Sequence, residues 1–585
     1  MPAKTFSAFT LPLLLLGFIF SDGWLPKPEA PQSRNEAPQS AYAATATATP
    51  AQDQEPDNSG FFSFRELITA ELLHKHLSVI AGDSLMGRGT GQQGIDMAAD
   101  YLAYWLEQYE VTPLGDEGGW FQHFDLKAMR TSEIRYALHQ VSQTDTLLVW
   151  DDSASRFAPS SFFNEFGGEV DLEGQVVFGG LGFNAPEAGI AHLDGIEVRG
   201  NWVVLFRELH PDVETEDEAL LEALMQQRAS DLLFRQGARG LLLIDESDPE
   251  AFEAEAMRRS QLIGKPSGIR LPDRGGRTGF ALGVKSVSPD MVNLLLGFTD
   301  FSEAEALHRE LSADLTLNRS FATDLRLSAT AVREEAVLPS RNVLGFVEGC
   351  HPELKNEVVV LSAHYDHMGI GQPNDTGDMI YNGADDNGSG TVTTLAIAKA
   401  AQQAKEAGYC LDRSLLFLFV TAEEHGLLGS RYYSDNPVIP IAQTVANFNL
   451  DMFGRIDYEY EDTGKDYIYI IGAEIISSDL NRLLQQANAQ TENLILDMRY
   501  NDLDDRNQFY RRSDHWNFGR LGVPFIFFFS GLHDDYHEPS DTVDKIPFDL
   551  LEKRARLIFS TLVEVANSPV RPVVDNQAFI ERTRQ

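Results

Sequence analysis

The chain predicts an α/β fold: a mixed, mostly parallel twisted sheet flanked by helices, with a β-rich insert. Two observations carry this. Between Val358 and Asp451, the runs VVVLSAHYDH, LLFLFVTAEEHGLLGS and VANFNLDM each pass from apolar residues abruptly into His, Asp or Glu. Short apolar runs bounded by turn formers read as buried strands. Groups just beyond the carboxyl ends of such strands meet at one cleft in open α/β sheets. Elsewhere apolar residues recur at helical spacing, as in Ile68, Leu72, Leu73 and Leu77, then Met97, Tyr101, Leu102, Trp105 and Leu106, and again over Leu550–Val565.

At 585 residues the chain exceeds one ordinary core, and 43% hydrophobic residues suffice for globular folding. A net charge of −41 argues against nucleic acid or an anionic membrane as a stable partner. It fits solubility, or attraction of cationic substrates. Cys350 and Cys410 are the only cysteines, which excludes a disulfide scaffold or a thiolate zinc finger. Each adjoins a predicted core strand. One bridge in an oxidising compartment and two inert thiols both fit.

Taken in order, residues 1–23 hold Lys4 and the apolar run Leu11–Phe20, too short to span a bilayer but suited to a secretory signal. Export to the periplasm or the extracellular space is therefore expected; an uncleaved anchor is the alternative. Residues 24–58, rich in Pro, Ala, Thr and Gln, read as a disordered linker. Residues 59–134 form a first globular part. Its loop DSLMGRGTGQQG lacks the lysine and strand of a phosphate loop, so it is expected to pack near the cleft. Residues 135–325 change character, with strands at Gly174–Gly180, Asn201–Phe206 and Gly240–Ile244, a helix at Leu220–Gln236, and no cluster of metal ligands. A structural or substrate-shaping insert is expected there. The main part, 326–567, returns through a strand region at Leu325–Phe346, and 568–585 read as a polar tail.

The chemistry lies at the ends of the apolar runs. His364, the Asp385-Asp386 pair, the Glu423-Glu424 pair and Asp451 should converge. A further histidine should join them from GLHDDYHEPSDT at Gly531–Thr542, which follows the strand-like PFIFFF. Imidazole and carboxylate donors without thiolate suit zinc first, with manganese or cobalt as substitutes. Two ions a few Å apart need one carboxylate shared between them. Adjacent residues within a strand face opposite ways, but at a strand end the backbone can turn and bring both glutamates to the site. One would bind metal and its neighbour would carry protons. By spacing alone either Asp385 or Asp386 could be the shared group.

The motifs SAHYDH, NGADDNGSG, TAEEHGLLGS, NLDM and DYHEPSDT, in this order, resemble the five ligand blocks of the two-zinc aminopeptidases, metallopeptidase family 28. The resemblance covers most of the chain beyond the linker and implies a zinc-peptidase (phosphorylase/hydrolase-like) fold. It implies two Zn2+ ions, with His364 and Asp451 on one, Glu424 and His537 on the other, and Asp386 bridging. It makes Glu423 the general base and acid, Tyr536 an oxyanion donor and Asp366 the carboxylate that orients His364. It also implies a cis peptide at Asp386-Asn387. His367, His425 and His533 fall off the ligand positions and are expected behind the ligands or at the surface. The stretch VVFGGLGFNAPEAGIAHLDGIEVRGNWVVLF resembles half of a protease-associated (PA) domain, which in such peptidases interrupts the catalytic domain beside the cleft.

The expected function is an exported zinc exopeptidase acting on peptides or proteins with a free N-terminus. A carboxypeptidase or dipeptidase on the same site is the first rival, kept open by Arg511 and Arg512 beside SDHWNF. Glutaminyl cyclisation on this scaffold usually takes one zinc, against the full ligand set here. A non-catalytic protein acting through the insert would hold its metals in closed cages, typically cysteine-rich. An uncommitted glutamate beside the ligands argues against that.

Overall fold

A computed structural model describes residues 59–583 apart from 143–144, 153–156, 159–169, 214–217, 245–247, 249, 253–265, 273–282, 372 and 375. The expected secretory signal (1–23) and linker (24–58) lie outside the described residues.

The central sheet runs in the order Ile495–Asp497, Tyr467–Gly472, Phe525–Phe529, Thr444–Leu450, Val358–His364, Ser414–Val420, Phe321–Val347. The middle four strands are parallel: Val358–His364 pairs with both Ser414–Val420 and Thr444–Leu450, and the latter with Phe525–Phe529. Antiparallel pairs enter on either side, from Phe321–Val347 and from Tyr467–Gly472. This is the mixed, mostly parallel sheet expected. The four middle strands are buried along their whole length. That burial explains their near-continuous apolar sequences, because a parallel sheet is covered on both faces.

The helix Gly390–Glu406 lies in the covering layer with Ala70–Ile80 and Phe548–Ala566 in one apolar core. The side chain of Thr69 caps the helix at Ala70 by accepting from the Leu72 amide at 3.1 Å, relieving one of the unpaired first-turn donors. Cys350 and Cys410 form a disulfide, which resolves the two alternatives left by the sequence.

The insert grows out of the sheet. Phe121–Val141 and Phe321–Val347 are two long strands paired antiparallel from Phe121↔Val343 to Gln140↔Leu325. The end of the second strand runs beside Ser414–Val420, and its beginning beside Val170–Phe178 of the insert. The expected boundaries at 135 and 325 therefore fall inside continuous strands. Beyond them, Val170–Phe178, Trp202–Phe206, Gly240–Ile244 and Gly283–Val287 form a parallel series. Helices Glu218–Ser230, Pro289–Leu296 and Phe301–Ala313 accompany it. The insert is thus α/β rather than only β-rich. Parallel strands need crossover connections, and helix Glu218–Ser230 supplies the one between Trp202–Phe206 and Gly240–Ile244.

The segment 568–585 is not merely a polar tail. Arg571 pairs with Glu357 at 3.1 Å, and helix Gln577–Thr583 buries Phe579 against Phe525, ring centroids 6.0 Å apart. A single aromatic anchor in a polar stretch leaves no periodic signal.

Candidate metal centre

Parallel pairing puts the carboxyl ends of the middle strands at one edge of the sheet. His364 is the last residue of its strand, Glu423 and Glu424 follow Ser414–Val420, and Asp451 follows Thr444–Leu450. After the first strand end, Gly369–Ile370 and Ile380–Tyr381 form a short hairpin that leads to Asp385 and Asp386, just before helix Gly390–Glu406. His537 arrives from the loop beyond Phe525–Phe529.

Sharp turns at the strand ends aim these groups. Ala422, Met452 and His537 have φ of +55°, +48° and +58°, a region that non-glycine residues rarely occupy. Such conformations persist where the surroundings hold them, often at functional sites. The turn at Ala422 brings both glutamates to the cleft. The Asp386-Asn387 peptide is cis, as the resemblance implied.

The carboxylate of Asp386 stands between two groups. Its Oδ1 is 3.3 Å from His364 Nε2, which is itself 3.2 Å from Asp451 Oδ1. Its Oδ2 is 3.1 Å from His537 Nε2, which is 3.2 Å from Glu424 Oε2. Bonds of about 2.0–2.1 Å in a tetrahedron set ligand atoms about 3.3–3.4 Å apart. The observed separations come close to that edge, so the residues fit two neighbouring ions sharing Asp386. Glu423 Oε2 lies 3.9 Å from His364 Nε2, beside the first group but not drawn against it. Geometry thus selects Asp386 over Asp385, whose carboxylate turns away to accept from the Gly454 amide at 2.6 Å.

The electrostatics call for cations. Burial opposes a charged His537, but Glu424 and Asp386 outweigh it and push its pKa up to about 11. His364 is raised in the same way, against burial, by Asp451 and Glu423. Burial would raise Asp386, yet His367, His364 and His537 hold it well below the ordinary carboxylate range. Glu423 goes the other way: burial, with Glu424 and Asp451 nearby, lifts it well above that range despite His364. Burial would raise Glu424 too, yet His537 and His367 hold it below that range, so the two neighbouring glutamates are driven in opposite directions.

Behind the ligands lies a buried polar layer. Asp366 accepts from the Glu423 amide at 3.1 Å and from Thr90 at 3.3 Å, while its carboxylate stands 3.7 Å from His364 Nδ1. His364 Nδ1 lies closer to the backbone oxygen of Asp366, at 3.1 Å. Ser513 donates to Asp451 Oδ2 at 2.6 Å and accepts from Asn449 at 2.8 Å. Asp541 accepts from the amides of Asp385 and Asp386. The loop DSLMGRGTGQQG packs here as expected: buried Arg88 donates to the backbone oxygens of Tyr365, Asn382 and Gly383. Tyr536 stacks on His537, centroids 3.9 Å apart, and lines the cleft with Met452, Phe509, Phe527, Phe529 and Arg512.

Sequence reasoning left His367 and His533 between surface and support. Both are buried; His367 touches Glu424, and His533 stands 3.2 Å from Asp385. His425 is exposed. Ser513, Asp514 and Asp541 were not singled out, although the last sits inside the DYHEPSDT motif and the first two in SDHWNF.

Residues 342–562 match the family model described as Peptidase family M28. Among curated proteins, the chain is 25% identical over 243 residues to "Aminopeptidase YwaD" of Bacillus subtilis (strain 168), covering 40% of this chain and 46% of that protein. It is 32% identical over 197 residues to "probable leucine aminopeptidase 2" of Aspergillus oryzae, covering 32% of this chain and 33% of that one. The chain thus spans less than half the length of these two relatives. Among solved structures, it is similar to "Aminopeptidase from Aneurinibacillus sp. strain AM-1", with TM-score 0.49 and 18% identity over 88% of this chain and 98% of the other. A zinc aminopeptidase from Bacillus subtilis aligns with TM-score 0.46 and 17% identity over 86% and 96%.

Proposed function

We propose that this chain, which carries a peptidase family M28 segment at residues 342–562, is a zinc-dependent exopeptidase that removes N-terminal residues from peptides. The observation that carries the reading is the placement of Asp386, with one oxygen toward His364 and Asp451 and the other toward His537 and Glu424, while Glu423 stands uncommitted beside them. When bound, a pair of zinc ions would supply an acidified water and polarise the scissile carbonyl.

The chain's own residues do the rest. Glu423, raised by burial, takes the proton of the attacking water and passes one to the leaving amine. Tyr536, whose pKa burial raises further, keeps its hydroxyl proton and offers it to the developing oxyanion. Met452, Phe509, Phe527 and Phe529 give the cleft an apolar wall for the terminal side chain. Export is part of the proposal. The apolar run at Leu11–Phe20 supports it, and the Cys350–Cys410 disulfide suits an oxidising compartment. In the same reading the insert is a PA domain that shapes access to the cleft.

One observation favours a second reading, a dipeptidase or carboxypeptidase on the same site. Arg512 lines the cleft and stacks over Phe509 at 5.3 Å, which places a cation where a substrate carboxylate could pair. A metal count combined with two substrate series separates the readings. About two zinc ions per chain and cleavage of aminoacyl chromogenic substrates, but not of N-blocked peptides, supports the first. Cleavage of N-blocked peptides from the carboxyl end supports the second. Absence of both metal and hydrolysis would remove the proposal.

A further inference from the structure

His367 has no part in the scheme above, yet it is buried inside the site. Its Nδ1 lies 2.7 Å from Glu424 Oε1 and 3.8 Å from Asp386 Oδ2. Glu424 turns its other oxygen, Oε2, to His537 at 3.2 Å. These lengths separate two roles. Atoms bound to one tetrahedral zinc stand about 3.3–3.4 Å apart, and the His364, His537, Asp386 and Asp451 pairs come close to that. A separation of 2.7 Å is too short for such an edge and matches a hydrogen bond from N–H to a carboxylate. Among the described residues, His367 Nε2 has no hydrogen-bond partner. Nδ1 has an acceptor in reach and Nε2 has none, which places an N–H on Nδ1.

Backbone and ring of His367 are each held. The His367 amide donates to the Arg88 backbone oxygen at 3.2 Å. Gly383, at φ +57°, leaves room for the ring; a Cβ there would come within 2.5 Å of His367 Cδ2. A glycine is needed at that point for both reasons.

We propose that His367 is a positioning residue: its Nδ1–H holds Oε1 of Glu424, so that Glu424 offers only Oε2 to the ion shared with His537 and Asp386. The inference rests on the metallopeptidase reading above. A single-oxygen Glu424 keeps a coordination position free for substrate, as catalytic zinc sites require.

Two amide replacements test it. In His367→Asn the side-chain nitrogen falls near the place of Nδ1; in His367→Gln it falls near that of Nε2. Each variant and the parent would be stripped of metal and titrated with Zn2+ against a competing chelator. Visible absorption spectra of the Co2+ forms and thermal melting would accompany the titrations. The expected result is a second-ion affinity about 10–100-fold weaker in His367→Gln, with the first ion unaffected and the Co2+ spectrum changed. His367→Asn should bind close to the parent. Parent-like binding in both variants would overturn the proposal. So would equal loss in both with an altered Co2+ coordination number, which would make His367 a direct ligand. A parent chain that takes up fewer than two ions and hydrolyses no peptide would sink the underlying reading instead, and that result is visible before any variant is made.

Discussion

The Asp541 carboxylate accepts from the backbone amide of Asp386 at 3.1 Å and so fixes the peptide that carries the proposed shared ligand. It also accepts from the Asp385 amide, at 3.1 and 2.9 Å. Asp541 is fully buried, and burial pushes its pKa up to about 6. Asp541→Ala would leave two buried N–H groups without an acceptor, at about 1–3 kcal/mol each. A destabilisation of about 2–6 kcal/mol is expected by denaturant unfolding, together with weaker metal uptake. Asn, which keeps one acceptor oxygen, should lose less. Full stability in the alanine variant would show that the clamp contributes nothing.

Glu423→Gln should keep both metal positions, because Glu423 Oε2 stands 3.9 Å from His364 Nε2, farther off than Asp386 at 3.3 Å and Asp451 at 3.2 Å. It removes the proton carrier. Turnover should fall by about 10²–10⁴-fold with metal content unchanged, read from kcat and from elemental analysis of the same sample. Near-parent turnover would take Glu423 out of the mechanism.

Acid should weaken the fold through His76. Its ring lies between the hydroxyls of Tyr101 and Tyr109, at 2.9 and 2.8 Å. Burial, with help from Lys75 and Lys399, lowers its pKa from 6.5 to about 4. Between those values the unfolded chain binds the proton and the folded one does not, so stability is present above pH 6.5 and falls as pH drops toward 4. The loss is on the order of 3 kcal/mol. Metal-free parent and His76→Phe, unfolded in urea at pH 7 and pH 5, should differ in slope, the variant being the flatter. Equal slopes would contradict the assignment.

The Cys350–Cys410 bridge closes a loop with a sequence separation of 60. By chain entropy that is worth at most about 4 kcal/mol. The double Cys→Ser variant should unfold at lower denaturant by an amount within that bound. A midpoint equal to that of the oxidised parent would show that the bridge restrains little in the unfolded chain.

The ligand set was legible because parallel strands leave a readable trace: a covered strand is apolar throughout, and its carboxyl end stops at a polar group. His364, Glu423, Glu424 and Asp451 all announce themselves in that way. His537 follows the same rule after PFIFFF. Spacing alone left Asp385 and Asp386 both open and the resemblance implied Asp386; the fold adds the reason, since the Asp385 carboxylate turns to the Gly454 amide. The contacts of His367, and Ser513 and Asp541 altogether, escaped for another reason. Their partners lie 57, 62 and 155 residues away in the chain, and single polar contacts over such distances have no period. The insert was seen as a change of composition. Its helix at Leu220–Gln236 was legible and appears as Glu218–Ser230; its seamless join to the sheet was not, because Phe121–Val141 and Phe321–Val347 each belong to both parts and show no break in pattern.

Arg88 lies well before the segment that matches the family, yet its guanidinium is buried against the peptide oxygens on either side of the ligands, at Tyr365 and at Asn382 and Gly383. The unit of ancestry and the unit of folding are therefore different objects. A fragment limited to residues 342–562 is expected to lack this brace. Arg88 donates to four backbone oxygens, of Ile80, Tyr365, Asn382 and Gly383, and without it the loops bearing His364 and Asp386 would lose the brace between them. The apparent preface to the matched segment is one of its internal supports.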